Sequence, residues 1–240
     1  MIAATHKEKT LAIVHDTGCM AVPDTKYFDM TYWRSQQALS GVAAGRGNAW
    51  FINAPFGPVV LRQYLRGGWA ARVSREQYFF TTVQSSRPFR EFHILAALLE
   101  LGLPVPRPVA ALCIHKGFLS SGALLTATIS GATTLADTLP GAGSRGVNIE
   151  APWGSIGRCI RKFHKAGVWH ADLNARNILL DSAQQVYLID FDRARLTASK
   201  AINGEGNLNR LKRSLSKLWP VSDSQALHPA WEQLMAGYDE

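Results

Sequence analysis

Two short apolar runs, residues 178–180 and 186–189, flank a polar stretch at 181–185, and short polar side chains crowd their ends. Branched runs separated by so short a connection fit a β-hairpin. Asp172 and Asn177 precede the first run, and Asp190 ends the second. A carboxylate at the end of a half-buried strand is costly unless it is paired or bound to a metal. Pairing the runs brings Asn177 and Asp190 together. Oxygen ligands of this kind suit Mg²⁺, which keeps waters and shares phosphate oxygens.

The rest of the chain places this hairpin late. Residues 1–40 mix turn formers with an aromatic cluster, Tyr27, Phe28, Tyr32 and Trp33, of the kind that packs in a core. The glycine-rich stretch 41–51 reads as strand, turn and strand, and 58–64 as a β-branched strand broken at Gly67-Gly68. Phe89, Phe92, Leu95, Ala96 and Leu99 recur at helical spacing over 88–101, and Gly102 with Pro104, Pro106 and Pro108 stops that helix. Two short strands follow, about 109–114 and 123–129, and the glycine-rich segment 130–150 is the expected boundary between lobes. Trp153, Ile156, Ile160 and Phe163 mark a helix ending at Gly167. A last amphipathic helix is expected over 206–218, with Leu208, Leu211, Leu215 and Leu218 on one face and Arg210, Arg213 and Lys217 on the other. Strands and one helix first, then mostly helix with a small β insertion, is an α+β, two-lobed order: a β-rich N-lobe over 1–130 and a mainly helical C-lobe over 131–240.

Charge and composition narrow the partners. Lys and Arg number 26 against 18 Asp and Glu, a formal charge of +8. An anionic partner follows, whether nucleic acid, phospholipid or a phosphorylated substrate. No basic run with interleaved aromatics supports nucleic acid, so none is expected. No apolar stretch reaches the length of about 18 residues that spans a bilayer. The first residues carry Lys7, Glu8, Lys9 and Asp16 and lack the apolar centre of a secretion signal. Cys19, Cys113 and Cys159 are too few and too scattered for a disulfide framework, which suggests a reducing cytoplasm. Cys159, His164 and His170 match no zinc spacing.

The segment His170-Ala171-Asp172-Leu173-Asn174-Ala175-Arg176-Asn177, followed by Asp190-Phe191-Asp192, has five residues from Asp172 to Asn177 and thirteen more to Asp190. It resembles the catalytic and metal-binding loops of the protein kinase-like superfamily. The resemblance implies that superfamily's two-lobed fold, with ATP and Mg²⁺ as cofactors. It implies that Asp172 orients an attacking hydroxyl and accepts its proton, that Asn177 and Asp190 hold the metal, and that His170 braces the loop. In the first lobe, Gly45 and Gly47 fall where a phosphate-cradling loop belongs. Arg62 stands where the family's lysine is usual, with Glu91 as its partner, and Ala127 and Ile129 are the hinge positions whose backbone holds adenine. Ala171 replaces the arginine of H-R-D, Asp192 replaces the glycine of D-F-G, and no A-P-E follows. The region that receives a peptide is therefore missing, and a small, sugar or lipid-linked acceptor is implied.

Further matches run along nearly the whole chain: Leu61-Arg62-Gln63-Tyr64, Gly67-Gly68, Ala71-Arg72, Arg87-Pro88 with Glu91, Gly102-Leu103-Pro104-Val105-Pro106, Ile189-Asp190-Phe191-Asp192-Arg193, and Asn207-Leu208 with Arg210-Leu211 and Arg213-Ser214-Leu215. Together they resemble the Kdo (3-deoxy-D-manno-octulosonic acid) kinases of the lipopolysaccharide core kinase family. The resemblance implies phosphorylation of the 4-hydroxyl of Kdo on lipid A. It also implies a peripheral protein at an anionic surface, the cytoplasmic face of a Gram-negative inner membrane. Basic side chains are then expected to hold the acceptor: Arg193 and Arg195 after the metal aspartate, Arg210 and Arg213 with Lys217 on the late helix, and Arg66, Arg72 and Arg75 with Arg62 around Gly67-Gly68. The lipopolysaccharide heptose kinases, a small-molecule kinase of the aminoglycoside type and a non-catalytic pseudokinase are the alternatives.

Overall fold

The computed structural model describes residues 1–8, 10–42, 49–64, 83–116, 119–139, 151–197, 202–220 and 225–240. The chain divides into two compact units, Met1–Glu100 with Arg107–Thr128, and Leu101–Pro106 with Ile129–Glu240. The expected division at 130 thus falls after Thr128, and 101–106 crosses to the second unit. The Leu188 amide donates to the Pro104 carbonyl at 3.1 Å and fastens that segment there.

The first unit carries strands β1 (Ala3–Lys7), β2 (Leu11–Asp16), β3 (Leu39–Val42), β4 (Ala49–Ala54), β5 (Gly57–Tyr64), β6 (Pro108–Lys116) and β7 (Leu119–Ala127). They form one antiparallel sheet in the order β1-β2-β6-β7-β5-β4-β3. The hairpin expected over 41–51 is β3 with β4, and the strand at 58–64 is β5. Nothing in the sequence reading anticipated β1 and β2, for opposite reasons. β2 lies inside the sheet and is buried from Ala12 to Asp16, so it lacks polar–apolar alternation. β1 is an edge strand, mostly exposed, with no apolar pattern to read.

The aromatic cluster is core. Helix α1 (Met30–Ser35) starts at Asp29, whose carboxylate accepts from the Thr31 amide at 2.8 Å. It buries Trp33, which packs with Phe28, Ile52, Leu61, Leu112 and Leu125, and Tyr27 stacks on Trp33 at 5.7 Å. Helix α2 (Arg87–Glu100) packs on β6 and β7 and buries Phe89, Phe92, Leu95 and Leu98. Each such side chain contributes about 2 kcal/mol by leaving water.

The second unit begins with β8 (Thr133–Thr134) and the short α3 (Leu135–Thr138), then α4 (Trp153–Lys165) and β9 (Val168–Trp169). The expected hairpin is present as β10 (Ile178–Leu180) and β11 (Val186–Leu188), with Ile178 opposite Leu188. β12 (Arg195–Leu196) pairs with β9. The helix expected over 206–218 is α5 (Glu205–Leu218), but it is not the last. α6 (Leu227–Asp239) follows and docks on α4. The two meet at glycines: a Cβ at Gly157 would run into the Leu234 carbonyl, and one at Gly237 into the carbonyl of Gly154. The apolar residues of α6 are interspersed with His228, Pro229, Gly237 and small alanines, so no clear stripe announces it.

Candidate active site

In the second unit the polar loop before β10 closes on one buried imidazole. His170 is 3% exposed. Its Nδ1 accepts from the Asp172 amide at 3.1 Å, and its Nε2 lies 2.9 Å from the Ile189 carbonyl. A donor on one side and an acceptor on the other put the ring proton on Nε2. Burial lowers the His170 pKa, against the opposing pull of the Ile189 carbonyl and the charges of Asp190, Asp172 and Asp192. Three carboxylates therefore act on this one ring.

Asn177, 4% exposed, completes the closure. Its Nδ2 donates to the Asp172 carbonyl at 2.8 Å, and its own carbonyl accepts from the Ile189 amide at 3.0 Å. Asn174 donates to the same Asp172 carbonyl at 3.0 Å, and its Oδ1 caps the turn Ala175–Asn177 through the Arg176 amide at 2.9 Å. The nitrogen end of Asn177 is committed, and its Oδ1 receives no donor among the described residues. Asp190 follows Ile189 with φ of 68°. Few non-glycine residues enter this left-handed region, Asp more readily than most, and holding one there costs about 1 kcal/mol. Phe191 pins the turn, stacked on Phe163 at 5.7 Å and edge-on to His170 at 4.8 Å.

α5 grips this loop at successive turns. Asn207 is 1% exposed; its Oδ1 accepts from the His170 amide at 3.1 Å and its Nδ2 donates to the His170 carbonyl at 2.6 Å. Arg210 Nη1 lies 3.4 Å from Asp172 Oδ1. Ser214 Oγ accepts from the Ala175 amide at 3.2 Å. These positions share one helix face. Behind Asn207, His164 Nε2 donates to its Oδ1 at 3.1 Å, and His164 Nδ1 accepts from the Tyr238 hydroxyl at 2.8 Å. Burial lowers the His164 pKa.

In the first unit Arg62, on β5 opposite Leu124, pairs with Glu91 of α2. Glu91 is 2% exposed, so it is a buried partner, not a solvated helix glutamate. Tyr64 also donates to Glu91 and receives an Arg62 nitrogen, while the Arg62 and Arg87 guanidinium groups lie 5.0 and 5.2 Å from its ring centre. Burial and the Glu91 charge push the Tyr64 phenol well above its ordinary pKa. Sequence reasoning assigned no role to Tyr64, though its position two residues from Arg62 puts both on one strand face.

Ala127 and Ile129, the positions expected to hold adenine, differ in their bonding. The Ala127 amide donates to the Arg107 carbonyl at 2.8 Å, and the Ile129 carbonyl accepts from Ala132 at 3.3 Å. Between them, Thr128 Oγ1 is buried without a partner among the described residues. Arg107 is held by Asp16 at 2.6 Å; burial alone would raise the Asp16 pKa, and the bonds from Arg107 and the Gly18 amide outweigh it and hold it low.

The remaining expected residues are less gathered. Arg193 and Arg195 are exposed, and the Arg195 guanidinium lies over Trp169 at 5.8 Å. Arg213 lines an open surface cavity of about 410 Å³ with Asn209, Lys212, Ser216 and Lys217. Gly45, Gly47, Gly67, Gly68, Arg66, Arg72 and Arg75 lie outside the described residues. Cys159 is buried, its thiol pushed up to about 12, and it donates to the Val186 carbonyl at 3.7 Å. Among the described residues no three His, Cys, Asp or Glu side chains converge as a metal site. Asn207 and Ser214 take their roles from the structure; the one sequence signal for them is a polar residue, Asn207, on the helix's apolar face.

The sequence profile of the lipopolysaccharide kinase (Kdo/WaaP) family matches residues 30–238. The chain belongs to that family. Its strand-rich first unit and helical second unit are the family's kinase-like fold, and as a family member it is a phosphotransferase with an alcohol group as acceptor. A relative named 3-deoxy-D-manno-octulosonic acid kinase, from Stenotrophomonas maltophilia (strain R551-3), is 42% identical over 228 residues, 95% of this chain and 89% of its own. Proteins of the same name come from Xanthomonas campestris pv. campestris (strain B100), 43% identical over the same shares, and Xanthomonas euvesicatoria pv. vesicatoria (strain 85-10), 45% identical over 86% of this chain and 81% of its own.

Proposed function

We propose that this Kdo/WaaP family member transfers the γ-phosphoryl group of ATP to the 4-hydroxyl of a Kdo residue on lipid A, a step in building the lipopolysaccharide core. The observation that carries the reading is the hydrogen-bonded loop around buried His170, which holds Asp172 by its amide and carbonyl and ties Asn177 to Ile189, the residue before Asp190.

Asp172 presents a half-exposed carboxylate, 46% accessible, on a loop whose backbone is tied at both ends. It accepts a hydrogen bond from the acceptor hydroxyl, aims that oxygen at phosphorus, and takes the proton as the new bond forms. Asn177 Oδ1 and the Asp190 carboxylate are the oxygen donors suited to Mg²⁺, a cation that fills its remaining positions with water and phosphate oxygens. Once bound, Mg²⁺ supplies neutralisation of phosphate charge. Arg62 offers a planar fork to the phosphates, held in place by Glu91 and Tyr64. For adenine, Ala127's amide is already engaged, so the donor falls to the Ile129 amide, which has no partner among the described residues. The Thr128 hydroxyl, without a partner among the described residues, fits a further polar contact with the nucleotide. Gly45 and Gly47 keep the phosphate-loop role on sequence grounds.

The +8 charge and the exposed cations of α5 support work at an anionic surface, the cytoplasmic face of a Gram-negative inner membrane. Among the described residues no helix is long and apolar enough to cross a membrane. Incubating the purified chain with radiolabelled ATP and Mg²⁺ tests the reading. Label should enter Kdo-lipid A; label confined to a heptosylated acceptor or to a soluble aminoglycoside would replace it.

A further inference from the structure

We infer that Arg210 receives the carboxylate of the acceptor sugar and thereby selects an acid sugar over a neutral one; this rests on the reading of Asp172 as the group that takes the hydroxyl proton. The relatives' name already makes the acceptor an acid. What calls for explanation is an arginine beside the carboxylate that must do the chemistry.

Stability does not explain it. The Arg210–Asp172 contact is long, 3.4 Å, and both side chains are nearly half exposed, 45% and 46%. Pairs of this kind add little to folding. The contact uses one guanidinium nitrogen, and the other N–H groups of Arg210 have no partner among the described residues.

The placement of Arg210, by contrast, is built. Asn207, about one turn earlier, and Ser214, about one turn later, bind the backbone of His170 and Ala175. The helix therefore presents position 210 to Asp172 whether or not the ion pair forms. Two anions brought side by side repel, so an acidic sugar cannot approach Asp172 without a cation to offset the charge. A guanidinium fork matches a carboxylate in two parallel hydrogen bonds. Carboxylate and hydroxyls ride on one rigid ring, so anchoring the first orients the second toward Asp172. Two other candidate arginines do not meet these conditions: Arg195 lies over Trp169, and Arg213 lines the cavity with Lys212 and Lys217.

The test pairs two acceptors, Kdo-lipid A and its carboxamide, which keeps the shape and loses the charge, with wild type, Arg210→Gln and Arg210→Lys. Wild type should favour the acid in kcat/KM by on the order of 10- to 100-fold, the value of a charge-assisted pair. The two changes should not add: with Arg210→Gln the preference for the acid disappears, and Arg210→Lys restores part of it. The KM for ATP should stay near wild type in both variants. Equal losses on both acceptors would overturn the inference and assign Arg210 to the phosphoryl group or to Asp172. An acid preference that survives Arg210→Gln would overturn it alone. A wild-type chain that labels no Kdo acceptor would overturn the functional reading, and the inference with it.

Discussion

Asn207→Ala tests whether α5 holds the loop from His170 to Asn177. In the folded chain this side chain makes three hydrogen bonds, to the His170 amide, the His170 carbonyl and His164 Nε2. Each contributes about 1 kcal/mol net, and all three partners sit where water reaches them poorly, so each group left without a partner costs about 1 kcal/mol or more. Water entering the vacated space recovers most of that second cost. The sum is a local destabilisation of about 3 kcal/mol. Since about 1.4 kcal/mol is a factor of ten, the loop should open on the order of 100 times more often. Hydrogen exchange read by mass spectrometry measures this at the Asp172, Ala175 and Asn177 amides, all bonded within the loop or to α5. Phosphoryl transfer should fall with it. Asn207→Asp separates hydrogen bonding from volume, because its oxygens still accept but nothing donates to the His170 carbonyl. Exchange in Asn207→Ala within threefold of wild type would refute the reasoning.

Other perturbations have equally definite outcomes. Arg62→Lys keeps the charge but replaces the guanidinium, one nitrogen of which bonds both Glu91 and Tyr64, with a single ammonium that cannot keep that bridge and reach the phosphates together, so the KM for ATP should rise about tenfold in a steady-state assay. Gly157→Ala drives a methyl into the Leu234 carbonyl and should lower stability by about 2 kcal/mol in thermal unfolding, whereas Gly206→Ala, with no atom of the described residues within 4 Å of the new methyl, should be neutral or slightly stabilising. His164 and His170 both have pKa values lowered below 6.5 by burial, so the unfolded chain binds protons that the folded chain refuses. Their contribution is fully present above that value and is lost as pH falls below it; urea midpoints should drop between about pH 7.5 and 5.5, and a flat profile would contradict the assignment.

The parts of this molecule legible in its sequence are those with strong local signals. The hairpin of β10 and β11 could be read because its polar ends and apolar runs are adjacent, and α2, α4 and α5 because their apolar residues recur at helical spacing. β2 could not, since a strand buried on both sides carries no alternation, and α6 could not, since its packing rests on Gly157 and Gly237 instead of a stripe of large residues. The same split runs through the candidate site. Asp172, Asn177 and Asp190 share one stretch of chain and a known spacing. Glu91 was chosen as Arg62's partner from sequence, but its burial and the third member, Tyr64, come from the way β5 and α2 meet. Asn207 bonds a residue 37 positions away, a relation that no local pattern encodes. At the expected hinge, the amide of Ala127 is engaged by Arg107, which depends on strand pairing rather than on either residue's type.

The central claim is that Asp172 delivers a hydroxyl of Kdo to the phosphoryl group. Mass spectrometry of the products formed from Kdo-lipid A, ATP and Mg²⁺, by wild type and by Asp172→Asn, addresses it directly. Wild type should add one phosphoryl group, located on the Kdo residue by fragmentation, while Asp172→Asn still binds ATP but slows transfer by on the order of 100-fold or more. A phosphoryl group found elsewhere on the lipid, or near-normal transfer by Asp172→Asn, would contradict the account.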